Sequence, residues 1–282
     1  MPRVIDLMHL GNDRVIAAHE LDGGLIVDPG PASCVETLLE GLETEPRALL
    51  LTHIHLDHAG ASGVLMRRFP RLRAYVHEVG APHLADPSNL LQSAERLYGD
   101  DMDRLWGEVA PVPDERITAV RGGERIAGLD VIYTPGHASH HVAYFDRASG
   151  DAYVGDVAGV RIPPAGRTIA PTPPPDIDLE AWGQSLDAVA GLRPARLRLT
   201  HFGEVGPEEG IAAAREALAR AGERSRSGDR EAFIEATAAD LDAGGPDVAA
   251  RARQTSPVDL LWLGLERYWA KREDTADAPQ VR

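Results

Sequence analysis

The chain has 282 residues, 43% of them hydrophobic, enough for one large domain or one domain with an appended part. Its net charge of −15 argues against sequence-independent nucleic-acid binding, since no broad basic field would attract phosphates. A single cysteine, Cys34, excludes an intrachain disulfide framework and a cysteine-based zinc site, and a single lysine, Lys271, argues against Schiff-base chemistry.

The first residues, "MPRVIDLMHLGNDRVIAAHE", lack the basic and long apolar regions of a signal peptide. No apolar run approaches the roughly 18 residues needed to span a bilayer, so the cytoplasm is the simplest address and no membrane partner is expected. Residues 14–21 and 25–30 read as two strands joined by Asp22-Gly23-Gly24, a favoured hairpin connection. A helix follows in "SCVETLLEGL", where Ser33 and Glu36 have the spacing of a capping box and Cys34 reads as a small buried hydrophobe.

"RALLLT" (47–52) is a continuous apolar run of the kind expected for a strand buried on both faces. "GASGVLMRRF" then reads as a helix and "RAYVHE" (73–78) as a strand. Residues 79–114 form a helical insertion in which Leu90, Ala94, Tyr98, Met102 and Trp106 recur every four positions. That stripe serves either core packing or a cap over a substrate.

Strand patterns resume at "RITAV" and "LDVIYTPG", followed by the hairpin "HVAYFD-RASG-DAYVGD". The proline-rich stretch 161–177 must be an irregular loop. "LEAWGQSLDAVAGL" is a helix and "ARLRLTHFG" (195–203) a last buried strand. From 207 to 273 the pattern is helical, with Leu261, Leu265 and Trp269 on one face, and 274–282 reads as a disordered tail. Residues 1–206 would form the main domain and 207–273 a helical extension, either a substrate lid or the interface of a homodimer.

The stretch "THIHLDHAG" (52–60) places three histidines and an aspartate within six positions after a greasy strand. Such groups are costly to crowd unless a cation sits among them. His53 and His55 would project to one side of an extended segment, and Asp57-His58 would aim at a neighbouring point, which suits two adjacent metal positions. A lone histidine after a strand is usually structural. Here His137, Asp156 and His201 also follow strand-like segments and supply nitrogen and oxygen donors suited to zinc, with manganese or iron possible.

This set resembles the metallo-β-lactamase superfamily: "HIHLDH" fits its H-x-H-x-D-H signature, and "PGH", "GD" and "THFG" follow in the expected order over residues 1–206. The resemblance implies an α+β fold, an αββα four-layer sandwich of two mixed sheets flanked by helices, here with an additional helical C-terminal part. It implies that His53, His55 and His137 hold one divalent metal, that Asp57, His58 and His201 hold a second, and that Asp156 bridges them. Asp28 matches a position that supports the site from behind. "YVHEVGAPHLADPSNL", "RLYGDDMDRLWG" and "TPGHASHH" are similar to a bacterial branch of the superfamily without a settled substrate.

The chemistry expected from two such cations is hydrolysis, with a hydroxide held between the metals attacking a carbonyl while Asp57 orients it and passes a proton to the leaving group. A lactone, thioester or carboxylic ester of small-molecule size is the expected substrate. The alternatives are a mono-iron persulfide dioxygenase-like oxidoreductase, a phosphodiesterase and a non-catalytic metal-binding protein. Tyr98, Trp106 and Arg161 are candidates for the pocket wall, and His140 for a hydrogen-bonding neighbour of the metals. His77 and His83 read equally as pocket-mouth or structural residues, His141 as the start of a strand, and His9 and His19 carry no assignment.

Overall fold

The computed structural model describes residues 2–164 and 167–276. A first sheet is built from β1 (Arg3–Asp6), β2 (Ala17–Leu21), β3 (Leu25–Val27), β4 (Ala48–Leu50), β5 (Arg73–His77) and β6 (Ile117–Val120), in that spatial order. Its first pairings are antiparallel, and β3 through β6 run parallel. The β2–β3 hairpin turns at Gly23 and Gly24, both at positive φ, with Leu21 opposite Leu25.

A second sheet holds β7 (Arg125–Ile126), β8 (Leu129–Tyr133), β9 (Val142–Asp146), β10 (Asp151–Tyr153), β11 (Arg196–Leu199) and β12 (Gly203–Val205), with only β10 and β11 parallel. The two sheets pack face to face. Leu21, Val27, Leu50 and Val120 of the first meet Val131, Val142 and Tyr144 of the second. The Tyr144 hydroxyl crosses between them to the Leu51 carbonyl at 3.0 Å, so the one polar atom of that ring is satisfied.

Helices α1 (Val35–Gly41), α2 (Leu56–Ala59), α3 (Ser62–Arg68), α4 (Ala81–Ala85), α5 (Ser88–Tyr98) and α6 (Met102–Trp106) belong to the first half. Cys34, Val35, Leu38, Leu65 and Met66 close a core on the first sheet's outer side. Helices α7 (Leu179–Gly191), α8 (Pro207–Ser225), α9 (Arg230–Asp242), α10 (Pro246–Thr255) and α11 (Val258–Ala276) cover the second sheet, where Trp182, Leu186, Phe233, Leu261, Trp262 and Leu265 share one core with Leu197 and Leu199. The architecture is therefore the expected α+β sandwich of two mixed sheets with helices outside and helices added at the C-terminus. Among the described residues no helix is long and apolar enough to cross a membrane.

Several local expectations need correction. The Ser33–Glu36 capping box does not form, because the Ser33 hydroxyl donates instead to the Leu105 carbonyl at 2.7 Å. Cys34 is buried, as read, and burial pushes its thiol up to about 11. The four-residue stripe is not one helix: the chain breaks at Gly99, in a positive-φ conformation, between α5 and α6. Its residues still meet, Ala94 and Trp106 packing on Leu56 with Leu90, Tyr98 and Met102 beside them. The segment read as a tail begins inside α11, and residues 277–282 lie outside the described residues.

Candidate metal centre

Four strands aim their C-terminal ends at one point. The chain leaving β4 carries His53 and His55 and then enters α2 with Asp57 and His58. The chain leaving β8 carries His137, that leaving β10 carries Asp156, and that leaving β11 carries His201. All seven residues of the sequence reading come together, in three overlapping groups: His53, His55, His137; His53, His58, Asp156; and Asp57, His58, His201, with donor atoms within 4.8 Å inside each group. His53, His58, His137, Asp156 and His201 are buried, whereas His55 and Asp57 are half-buried and face a cavity.

The outer hydrogen bonds fix which nitrogens point inward. His137 Nδ1 donates to the Pro171 carbonyl and His201 Nδ1 to the Val15 carbonyl, each at 2.8 Å. His58 Nδ1 meets Asp28 Oδ2 at 2.8 Å. The Thr52 hydroxyl spends its proton on Asp28 Oδ2, so at 3.1 Å it accepts from His53 Nδ1. The Nε2 atoms of these four rings are thus left for the interior. His137 Nε2 lies 3.3 Å from His53 Nε2 and 3.0 Å from His55 Nδ1, and His201 Nε2 lies 3.2 Å from His58 Nε2. Bare imidazole lone pairs facing each other at such distances repel unless positive charge sits between them.

Asp156 stands between the two sets. Its Oδ2 is 3.4 Å from His137 Nε2, while its Oδ1 is 3.3 Å from His58 Nε2 and 3.7 Å from His201 Nε2. Oδ1 is buried and has no hydrogen-bond partner among the described residues. Asp57 Oδ2 completes the second set, 3.3 Å from His201 Nε2. The electrostatics express the same demand for cations. Burial works to raise the Asp156 and Asp57 carboxyls, yet neighbouring His58 and His201 hold both well below the carboxylate range. Burial works to lower His58, but Asp156, Asp28 and Asp57 pull it well above the usual imidazole value. His55, among neutral rings, is driven down to about 3 by burial and then by His137. A buried set of nitrogens and carboxylates, with Asp156 Oδ1 left without a hydrogen-bond partner among the described residues, fits divalent cations.

Behind the donors, Asp28 accepts from the Thr52 backbone N–H at 2.8 Å, and from the Thr52 and Thr200 hydroxyls at 2.7 and 2.8 Å, besides meeting His58. It is fully buried and adopts φ 50°, so four donors hold a strained backbone in place. His141, read only as a strand start, is a supporting residue: its Nε2 accepts from the Asp156 backbone N–H at 3.2 Å, and its Nδ1 meets Thr134 Oγ1 at 2.8 Å. Gly155 lets these groups close, since a Cβ there would lie 2.6 Å from Thr52 Oγ1 and 2.8 Å from His141 Nε2. No sequence signal separates His141 from its neighbour His140. His140 stacks on His53 with centroids 6.1 Å apart, but its Nδ1 is buried without a hydrogen-bond partner among the described residues.

The cavity above the donors has a volume of about 120 Å³. Three segments wall it: α5 and α6, the prolines of 171–175, and residues 255–261, from the end of α10 into the first turn of α11. Tyr98 and Trp106 line it as expected, whereas Arg161 does not; its guanidinium turns to Glu209. His77 is structural, stacked on Tyr133 with centroids 4.6 Å apart. His83 lies off the cavity on α4, and His19 is buried between the sheets. His9 ties the wall together: one ring nitrogen donates to the Leu105 carbonyl at 2.9 Å, the other accepts from Gln254 Nε2 at 2.9 Å, and the ring stacks on Trp106.

The family model of the metallo-beta-lactamase superfamily matches residues 12–201. A metallo-beta-lactamase fold-containing protein of Sulfurisphaera tokodaii is 29% identical over 167 residues, 57% of this chain and 62% of that protein. A hydroxyacylglutathione hydrolase of a Synechococcus strain is 30% identical over 156 residues, 55% of this chain and 52% of that enzyme. The chain spans about half the length of the curated relatives it matches. Among solved structures, an archaeal metallo-beta-lactamase superfamily protein from Sulfolobus tokodaii superposes with a TM-score of 0.71 at 22% identity, covering 94% of this chain and 98% of that one. TTHA1623 in a di-iron-bound form gives 0.54 at 26% identity, covering 68% and 90%. With two mixed sheets, the histidine–aspartate cluster at their strand ends and the family match over most of its length, this chain belongs to the metallo-beta-lactamase superfamily.

Proposed function

We propose that the protein is a metal-dependent hydrolase of ester-type acyl substrates: lactones, thioesters or carboxylic esters. The observation that carries this reading is Asp156, whose two oxygens are divided between two sets of imidazoles. In this reading His53, His55 and His137 hold one divalent cation, Asp57, His58 and His201 hold the other, and Asp156 serves both. Zinc suits the donors, and manganese or iron also do; the di-iron form of TTHA1623 supports iron as a member of that set. Bound there, such cations supply Lewis acidity and bring the acidity of water into the neutral range.

The chain's own groups do the rest. Asp57, its side chain 22% exposed against 5% for Asp156, is the more open of the two cluster carboxylates that line the cavity, and it orients the attacking water. The water oxygen bonds to the acyl carbon, the bond from that carbon to the leaving oxygen or sulfur breaks, and Asp57 carries the proton from the water to the leaving group. The walls from α5, the 171–175 prolines and residues 255–261 set apolar side chains around the reacting groups, which strengthens these electrostatics. The relatives named as hydroxyacylglutathione hydrolases support thioesters as one substrate type.

The test is metal analysis of the purified protein followed by a panel of esters, thioesters, lactones and phosphodiesters. About two zinc, manganese or iron ions per chain with turnover of an acyl compound is the expected outcome. One iron per chain with sulfur-dependent oxygen uptake would replace this reading with dioxygenase chemistry.

A further inference from the structure

The cavity over the metal centre has a composition that discriminates among acyl substrates. Leu56, Leu90, Leu97, Leu260 and Leu261 line it together with Trp106, and among the described residues no lysine or arginine does. Arg104 and Arg253 line an adjoining cavity that shares Asp57, Tyr98 and Trp106 with this one, and each is already paired, with Asp101 at 2.9 Å and Asp242 at 2.6 Å. Lys271 engages the Pro175 carbonyl and does not line the cavity. A substrate bearing carboxylates, as any glutathione thioester does, would meet leucines there and a chain of net charge −15 around them.

Two polar groups also belong to residues that line the cavity. The indole N–H of Trp106 and the hydroxyl of Ser256 are buried, and neither has a hydrogen-bond partner among the described residues. A buried donor left unpaired is destabilising, so such groups are commonly completed by a ligand or water. An acyl ester brings accepting oxygens at one end and hydrocarbon at the other, and the case against an anion rests on the leucines and on the absence of lysine and arginine from the lining among the described residues.

We infer that the site takes an uncharged alkyl acyl compound, with its chain lodged between α5 and residues 255–261, and that it disfavours anionic glutathione thioesters. The inference rests on the ester-type hydrolase reading above, and it departs from the substrate named for the hydroxyacylglutathione hydrolases among the relatives.

The experiment uses the full chain loaded with metal. It measures kcat/KM for acetyl, butyryl, hexanoyl and octanoyl esters of one neutral alcohol, beside a hydroxyacylglutathione thioester. Each added methylene should raise kcat/KM by about fourfold until the cavity is filled, with the glutathione thioester below the best alkyl ester. Leu260→Glu should cut the octanoyl-to-acetyl ratio at least about tenfold, with helicity and metal content checked by circular dichroism and elemental analysis. A flat or falling series, a glutathione thioester that matches the best alkyl ester, or an unchanged ratio in a folded Leu260→Glu would overturn the inference. Should no ester turn over, calorimetric titration with the neutral amides butyramide and octanamide separates the two readings. Tighter octanamide binding then keeps the cavity assignment and discards the hydrolase, whereas equal or absent binding discards the cavity assignment as well.

Discussion

The two sides of the cavity are built on opposite principles. On the strand-end side, His53, His58, His137, Asp156 and His201 are at most 3% exposed, and outer hydrogen bonds to Pro171, Val15, Thr52 and Asp28 hold the imidazoles. On the wall side, Leu90, Leu97, Tyr98 and Leu260 are half-buried and are held by packing and by the few bonds that join His9 to Leu105 and Gln254. Donors aimed at a cation must be placed to a few tenths of an ångström, so their support is redundant. A wall that selects a substrate by apolar contact tolerates shifts, and its support is sparse. Activity should therefore depend steeply on the first side and gradually on the second.

The largest test of that contrast is Asp57→Asn against Leu97→Ala. Asp57→Asn should lower kcat by about 10²–10⁴-fold, read in protein whose metal content is measured in parallel. Leu97→Ala, on the wall, should act mainly on KM. If kcat falls equally in both, the division between the sides is wrong. If kcat survives in a metal-loaded Asp57→Asn protein, Asp57 leaves the mechanism.

Beneath the strand-end side lies a buried ion cluster that the contrast predicts to be structural. Asp151 is fully buried on β10, three residues before the turn that leads to Asp156. It accepts from Arg196 Nε at 2.6 Å and faces Arg198 Nη2 at 3.1 Å. Removing it leaves Arg198 with Glu204 alone, at 2.8 Å. Asp151→Ala should cost about 3 kcal/mol in urea-induced unfolding, the low end for a broken buried pair, because that second partner remains. A change below about 0.5 kcal/mol, within the range of ordinary surface substitutions, would show that solvent already screens the cluster.

The strand-end side was far more legible in sequence than the wall. H-x-H-x-D-H announces itself because four of the donors sit within six residues, and His137, Asp156 and His201 each follow a strand pattern strong enough to read. The short edge strands were not legible: β1, β7 and β12 have two to four residues, too few for a period to emerge. Spacing grouped Leu90 through Trp106, which do pack together, but it read them as one helical face and did not reveal that Gly99 breaks the helix. The roles of His141 and His9 depend on Asp156 and on Gln254, 15 and 245 positions away, and no local pattern encodes a partner at that separation. Arg161 illustrates the converse, a suitable residue in a suitable loop that is claimed by Glu209 instead.

Asp28 sharpens the comparison at intermediate magnitude, since it touches no cavity and acts through His58. Asp28→Asn keeps the shape but turns an amide N–H₂ toward four groups that all donate to the carboxylate. Metal affinity at the second position should fall by about 10–100-fold, measured by competition with a chromophoric chelator. Loss of affinity with the chain-length preference intact would place Asp28 wholly on the donor side. Equal affinity in a folded variant would remove it from support of the site.

An effect that vanishes at neutral pH concerns His19, which links the two sheets through Leu199. Its ring is buried, meets the Leu199 carbonyl through Nε2 at 3.2 Å and lies edge-on to Tyr153 with centroids 5.4 Å apart. Burial lowers its pKa to about 4, against 6.5 for the free side chain. The folded form therefore keeps the ring neutral where the unfolded chain binds a proton, so the unfolded state gains as acidity rises. Stability from this group is complete above about pH 6.5 and falls by about 1.4 kcal/mol per pH unit as pH drops toward 4. In metal-loaded protein, His19→Gln should reduce the pH slope of unfolding free energy between pH 6.5 and 4.5 by about one proton's worth, because glutamine can still donate to Leu199 but cannot titrate. An identical slope in the two proteins would mean that the ring reaches solvent in the folded state, and the tight closure of the sheets beneath the donors would have to be given up.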